Sequence, residues 1–272
     1  MNTEIFTEQG KFLMLALDHR GSFKKLINPE NPGSVSNEET IHLKRKIIQA
    51  VEGETSGILI DSEFGLPAYE GHSKPFLLPV ERSGYTDESG ERITTLEYSV
   101  QELQSMGARG IKLLLYMNAE VPSFERQLAT ATKVCADAKS EGLPSFVEIV
   151  TYDSAGKPYE RGAMILTILN VFLERGIFPD VFKLEYPGEG AIASEITKLL
   201  GERPWILLTR GERFDTFQKQ LAEVAARGAR GFLAGRALWQ EACRMKNPEQ
   251  ENFLTETLPD RFRAIKKIML SN

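Results

Sequence analysis

Eight short, unbroken apolar runs, most of them leading into a stretch of helical periodicity, constrain this chain more than any other feature. They occupy residues 12–17, 57–61, 75–80, 110–115, 145–150, 181–184, 205–209 and 231–234. From the fourth run onward the spacing settles near the roughly thirty residues of one strand–helix unit. Most runs do not alternate apolar with polar residues, so they read as strands of a parallel sheet covered on both faces. Eight strands alternating with helices form either a closed barrel or a doubly wound open sheet. The open sheet would carry a G-x-G-x-x-G turn after an early strand. Here the first run is followed by Asp18-His19-Arg20-Gly21-Ser22 instead. The expectation is an α/β protein, a single (β/α)8 TIM barrel with parallel strands, forming one domain over residues 1–272. Such a barrel needs about 250 residues.

Gly53, Gly107, Gly142, Gly176, Gly201 and Gly228 stand between helical patterns and strands, where a left-handed residue ends a helix. Helical periodicity covers 93–106, 124–141, 161–175, 217–227 and 253–269. Ser36 with Glu39, and Asp215 with Gln218, have the spacing of helix starts. Residues 28–36 and 83–92 read as longer loops on the face where a barrel carries its chemistry. The net charge of −5 and the lack of a basic block argue against nucleic acid as a main partner. No apolar run approaches the roughly 18 residues of a membrane span, and the N-terminus lacks the plan of a secretory signal. Cys135 and Cys243 are far apart in helical patterns, so no disulfide framework is expected and a reducing cytoplasm is the default.

Charges that break the apolar runs carry the chemistry. Lys183 interrupts the run Val181-Phe182-Lys183-Leu184, where burial disfavours its ammonium form. A neutral amine there is a nucleophile toward carbonyl carbon and can form a Schiff base. Lys112 and Glu148 likewise sit within apolar runs, and Asp18 ends the first. Mid-strand charges must point into a barrel, because the outward positions meet the apolar backs of helices. A buried salt-bridge quartet would be costly and weak as a stabiliser. Two cations and two anions at the catalytic face suit carbon–carbon cleavage through an imine. Lys183 attacks the ketone, and Lys112 acts as a like charge that lowers its neighbour's pKa. Glu148 shuttles protons, and Asp18 orients the amine or takes a substrate hydroxyl proton. An imine mechanism needs no cofactor and no metal. The three histidines, His19, His42 and His72, offer no pair with ligand spacing for a zinc-dependent alternative.

The loops after the seventh and eighth strands are where a barrel usually seats phosphate. Thr209-Arg210-Gly211 and Gly235-Arg236 suit that task, with glycines admitting backbone amides to an anion and Arg236 able to add bidentate contacts. Arg20, Asp61 and Arg82, near the ends of the first three strands, are further candidate substrate contacts.

Several segments in order resemble the class I tagatose 1,6-bisphosphate aldolases, with sulfofructose-phosphate aldolases as more distant relatives. They include Ala16-Leu17-Asp18-His19-Arg20-Gly21-Ser22, Ile58-Leu59-Ile60-Asp61, Lys112-Leu113-Leu114-Leu115-Tyr116, Glu148-Ile149-Val150-Thr151-Tyr152-Asp153, Phe182-Lys183-Leu184-Glu185 and Gly231-Phe232-Leu233-Ala234-Gly235-Arg236-Ala237. The resemblance implies a TIM barrel, Lys183 as the Schiff-base residue, Glu148 in proton transfer, and Lys112 and Asp18 in support. It also implies a sugar-phosphate substrate cleaved to dihydroxyacetone phosphate and an aldehyde. The strand-seven loop departs from the family's usual Ser-Ala-Gly, and the chain is shorter than typical members. Both leave the sugar open, with Arg20 and Arg82 as candidates for a distal anion. A sulfofructose-phosphate aldolase, a deoxyribose-phosphate- or transaldolase-type enzyme and a non-catalytic sugar-phosphate sensor are the alternatives. Assembly of the outer helices into a homo-oligomer is expected.

Overall fold

The computed structural model describes residues 2–154 and 158–272. Eight parallel strands close on themselves as the apolar runs foretell. They are β1 (Lys11–Leu17), β2 (Gly57–Ile60), β3 (Phe76–Pro79), β4 (Gly110–Met117), β5 (Ser145–Thr151), β6 (Val181–Leu184), β7 (Trp205–Leu208) and β8 (Gly231–Ala234). Each pairs with the next, and β8 pairs with β1. Helices that follow the strands on the outside include, in chain order, α1 (Asn37–Val51), α2 (Gly65–Tyr69), α3 (Val100–Ser105), α4 (Ser123–Ser140), α5 (Arg161–Glu174), α6 (Gly190–Leu200), α7 (Phe214–Ala225) and α8 (Leu258–Leu270). This is the (β/α)8 barrel.

Strand alternation divides the apolar residues into two groups. Leu13, Leu15 and Leu17 of β1, like Ile111, Leu113 and Leu115 of β4, belong to the cluster shared with the helices. Phe12, Met14, Leu59, Leu77, Phe146 and Ile206 form a second cluster inside the barrel, together with Phe6. Phe6 reaches this position from a single 3-10 turn, Glu4–Phe6. The rings of Phe6 and Phe12 lie 5.5 and 5.8 Å from that of Phe146, edge to face. Ser56 pins the segment by donating to the Phe6 carbonyl at 2.7 Å while accepting from the Leu13 amide at 2.8 Å. Gly57 makes room for it, since a Cβ there would come within 2.6 Å of the Phe6 ring. Together these aromatic rings form the barrel's floor.

Local signals hold where side chains satisfy backbone. Ser36 accepts from the Glu39 amide at 3.0 Å and starts α1. Asp215 is not the cap: α7 begins at Phe214 after Arg213, with no side-chain cap hydrogen bond among the described residues. Gly53 is not left-handed, although Gly107, Gly142, Gly176, Gly201 and Gly228 are. The pattern over 93–106 is helical only from Val100, where Ser99 and Glu102 form a reciprocal capping box. Ahead of it, Thr86–Glu88 and Glu91–Ile93 pair as a hairpin where the sequence suggests an irregular loop. Ser89 and Gly90 both have positive φ, as a two-residue hairpin turn requires.

Asp61 is not brought to the mouth of the barrel. It is 0% exposed and ion-paired with Lys44 of α1, which is equally buried. Its other oxygen accepts from the amides of Glu63 and Phe64 at 3.1 and 2.7 Å. Lys44 also donates to the Leu17 carbonyl at 2.9 Å, with its ammonium over the Phe23 ring at 5.3 Å. The pair therefore ties the end of β1 to the end of β2, and the substrate-contact expectation for Asp61 gives way to this structural one.

Two stability measurements follow from the floor and this pair. Phe146→Ala opens a cavity in the close-packed floor and is expected to cost about 3–5 kcal/mol in urea unfolding. Lys44→Met strands a buried carboxylate and is expected to cost about 3–5 kcal/mol. Adding Asp61→Asn to Lys44→Met should recover part of that loss, because the amide oxygen still accepts from Glu63 and Phe64.

Candidate active site

Above the aromatic floor the inward positions turn ionic. Lys112, Glu148 and Lys183 occupy inward positions on β4, β5 and β6, and Asp18 and Glu81 continue the inward positions beyond β1 and β3. Register brings them together: Glu148 is the Cα partner of Lys183, and Lys112 that of Pro79. Paired residues on neighbouring strands point the same way. Lys183, 4% exposed, donates from Nζ to Glu148 Oε2 at 2.7 Å. Lys112, 3% exposed, lies 2.9 Å from Asp18 Oδ2, 2.5 Å from Glu81 Oε1 and 3.6 Å from Glu148 Oε2.

These contacts set the protonation preferences. Burial opposes the charge on Lys112, but Asp18, Glu81 and Glu148 outweigh it and hold its pKa well above the ordinary lysine value. Burial likewise opposes the charge on Asp18 and on Glu148. Lys112 leads for Asp18 and Lys183 for Glu148 in reversing that, so both carboxyls lie below the usual range. For Glu81 burial prevails over Lys112 and the carboxyl is pushed up. His19, against the Trp239 ring at 5.1 Å, is pushed down to about 4 by burial, with Asp18 pulling the other way. It is therefore uncharged at neutral pH.

The cluster opens into a cavity of about 450 Å³ whose wall includes Asp18, Arg20, Glu81, Arg82, Lys112, Tyr116, Glu148, Lys183, Thr209, Arg210, Gly235 and Arg236. The loops after β7 and β8 converge there. Gly211, at φ +78°, does not line the cavity, but a Cβ on it would meet the Arg236 guanidinium at 3.1 Å. Its lack of a side chain gives Arg236 its place. Arg210 adopts a left-handed φ of 46°, unfavourable for a side chain this large. It is held by an ion pair with the buried Glu185 and by a bond from Nη2 to the Thr151 carbonyl at 3.1 Å. Glu185 in turn accepts from the Thr151 amide and hydroxyl at 2.8 and 2.7 Å. Arg210 thus reaches the cavity with its charge already engaged by protein.

Arg20 is also engaged, donating to Glu97 at 2.5 Å and to the Glu81 carbonyl at 3.0 Å. Arg82 lines the cavity near its mouth. Sequence reasoning missed two groups here. Glu81 follows the third apolar run directly, and the inward parity of Leu77 and Pro79 extended by one step would have found it. Arg92 lines the cavity from the hairpin, its guanidinium 5.0 Å from the rings of Tyr85 and Tyr152 and 6.0 Å from that of Tyr116. No periodicity signals an aromatic cage drawn from three separate segments.

Comparison with known proteins fits this geometry. Residues 12–241 match the family model described as DeoC/LacD family aldolase. Tagatose 1,6-diphosphate aldolase 1 of Enterococcus faecalis (strain ATCC 700802 / V583) is 30% identical over 270 residues, covering 86% of this chain and 81% of that protein. Tagatose 1,6-diphosphate aldolase of Staphylococcus haemolyticus (strain JCSC1435) is 26% identical over 94% of this chain and 89% of its own length. Among solved structures, an archaeal fructose 1,6-bisphosphate aldolase superposes with a TM-score of 0.72 at 21% identity, covering 99% of this chain and 97% of that one. A Schiff-base-forming fructose-1,6-bisphosphate aldolase gives a TM-score of 0.72 at 22% identity, covering 98% and 97%. At such identities the structural likeness is one of fold, and the family rests on the sequence match: this chain belongs to the DeoC/LacD aldolase family.

Proposed function

We propose that the protein is a class I aldolase that reversibly cleaves a ketose 1-phosphate or 1,6-bisphosphate, of the tagatose 1,6-bisphosphate kind, to dihydroxyacetone phosphate and an aldehyde. The observation that carries this reading is a lysine amine 2.7 Å from a carboxylate, both inward on adjacent strands of a cavity with arginine at its rim. The family relationship and the names of its tagatose 1,6-diphosphate aldolase relatives support the same reaction.

Lys183, as free amine, adds to the ketone carbon, and Glu148 carries the proton lost from nitrogen to the new alkoxide, giving the carbinolamine. Glu148, reprotonated from solvent, then gives a second proton to the carbinolamine hydroxyl, which leaves as water and gives an iminium. Asp18 accepts the proton of the substrate hydroxyl on the far carbon of the bond to be broken. The electron pair of that carbon–carbon bond moves into the iminium, the aldehyde departs, and an enamine remains on Lys183. Protonation of the enamine carbon and addition of water release dihydroxyacetone phosphate. Lys112 remains charged throughout, fixed among its carboxylates. Arg236, placed by Gly211, receives the phosphate next to the ketone together with the backbone at Gly235. Arg82 and Arg92 supply cationic groups toward the mouth for a distal phosphate, since Arg20 and Arg210 are bound to Glu97 and Glu185.

Borohydride reduction in the presence of dihydroxyacetone phosphate is expected to leave one stable adduct, mapped by peptide mass to Lys183. An adduct elsewhere, or none, overturns the reading. Lys183→Met should abolish both adduct and turnover, and Glu148→Gln should lower kcat by about 10²–10⁴-fold. Arg236→Met should raise KM for phosphorylated ketoses by about 10–100-fold, the worth of a charged hydrogen bond, with a smaller change in kcat.

A further inference from the structure

Glu81 has no role in the reaction as derived above, yet it is the closest partner of Lys112. Its Oε1 accepts from Lys112 at 2.5 Å, while Oε2 is out of reach of solvent and has no hydrogen-bond partner among the described residues. An ionised carboxylate with one oxygen unpaired and buried is costly. The surrounding charges make it costlier. Lys112 faces Glu81 from β4, Asp18 from the end of β1 and Glu148 from β5, while Lys183 on β6 pairs with Glu148. Arg20 bonds the Glu81 carbonyl and Glu97, Arg82 follows in the chain, and the Tyr116 hydroxyl lies within electrostatic range. When Lys183 becomes the free amine that attacks a ketone, Lys112 is the one cation among the described residues left within ion-pair distance of Asp18, Glu148 and Glu81. Three ionised carboxylates around it would leave two uncompensated negative charges in a buried site.

We infer that Glu81 works as an uncharged carboxylic acid, a positioning residue that fixes Lys112 by hydrogen bond without drawing its charge from Asp18 and Glu148. This rests on the imine reading of Lys183. Burial, prevailing over Lys112, favours the same protonation state. A group with a raised pKa keeps its proton below that value and loses it as pH rises through it. Activity that needs the neutral form therefore falls on the alkaline side.

The test is kcat/KM against pH for the wild type, Glu81→Gln and Glu81→Ala, with tagatose or fructose 1,6-bisphosphate, whichever is turned over. Glutamine keeps a neutral polar group beside Lys112, so Glu81→Gln is expected to stay within about fivefold of the wild type and to lose the alkaline limb. Glu81→Ala should lose about 10–100-fold, the worth of a hydrogen bond to a charged group. The inference is overturned if Glu81→Gln is as impaired as Glu81→Ala, or if it keeps the wild-type alkaline limb. Should Glu81→Ala fail to fold, the limb in Glu81→Gln decides alone. Borohydride trapping in the wild type reports on Lys183 separately: an absent adduct sinks the imine reading, whereas an adduct with the wrong Glu81 profile sinks only the role of Glu81.

Discussion

One ammonium group holds the upper end of this barrel together. Lys112 Nζ lies within 4 Å of carboxylates that arrive from the ends of β1 and β3 and from the middle of β5. A buried ion pair contributes little to stability once desolvation is counted. Its value here is geometric, because a cation touching carboxylates from three directions fixes where those strand ends stand relative to one another. Lys183 meets Glu148 within that arrangement, through the same oxygen that faces Lys112. Displacing Lys112 would therefore disturb every acidic group that the proposed reaction uses.

The interior beneath this cluster is what makes so much charge tenable. Edge-to-face contacts among Phe6, Phe12 and Phe146 form a rigid hydrocarbon layer, with the ionic layer directly above it. In low-dielectric surroundings paired charges interact strongly and an unpaired one is heavily penalised. The Lys44–Asp61 pair applies the same principle just outside the barrel wall. By binding the Leu17 carbonyl, Lys44 anchors the backbone immediately before Asp18.

Much of this was readable from residue order. Unbroken apolar runs revealed strands buried on both faces, and a charge inside such a run had to point inward. That reasoning located Asp18, Lys112, Glu148 and Lys183. It failed where a side chain's destination depends on a partner distant in sequence. Arg210 in a phosphate-type loop reads as an anion ligand until Glu185 is seen to occupy it. Asp61 at a strand end reads as a substrate contact until Lys44 closes on it. The signal for Lys44 was present, since it stands four residues after Thr40 and four before Ile48 on the buried stripe of α1. The hairpin at 86–93 escaped because its stability comes from a two-residue turn and from Arg92 lodged among tyrosines, neither of which shows as hydropathy.

The position of Phe6 bears on how the site exchanges its contents. With the lower end stopped by aromatic rings, a molecule bonded at Lys183 in the proposed reaction faces solvent, among the described residues, through the upper opening. The detached fragment of a cleaved sugar would lie nearer that opening than the portion still joined to nitrogen. A vessel with one doorway thus imposes a queue: the unattached piece leaves first, and water reaches the remaining covalent adduct along the path just vacated.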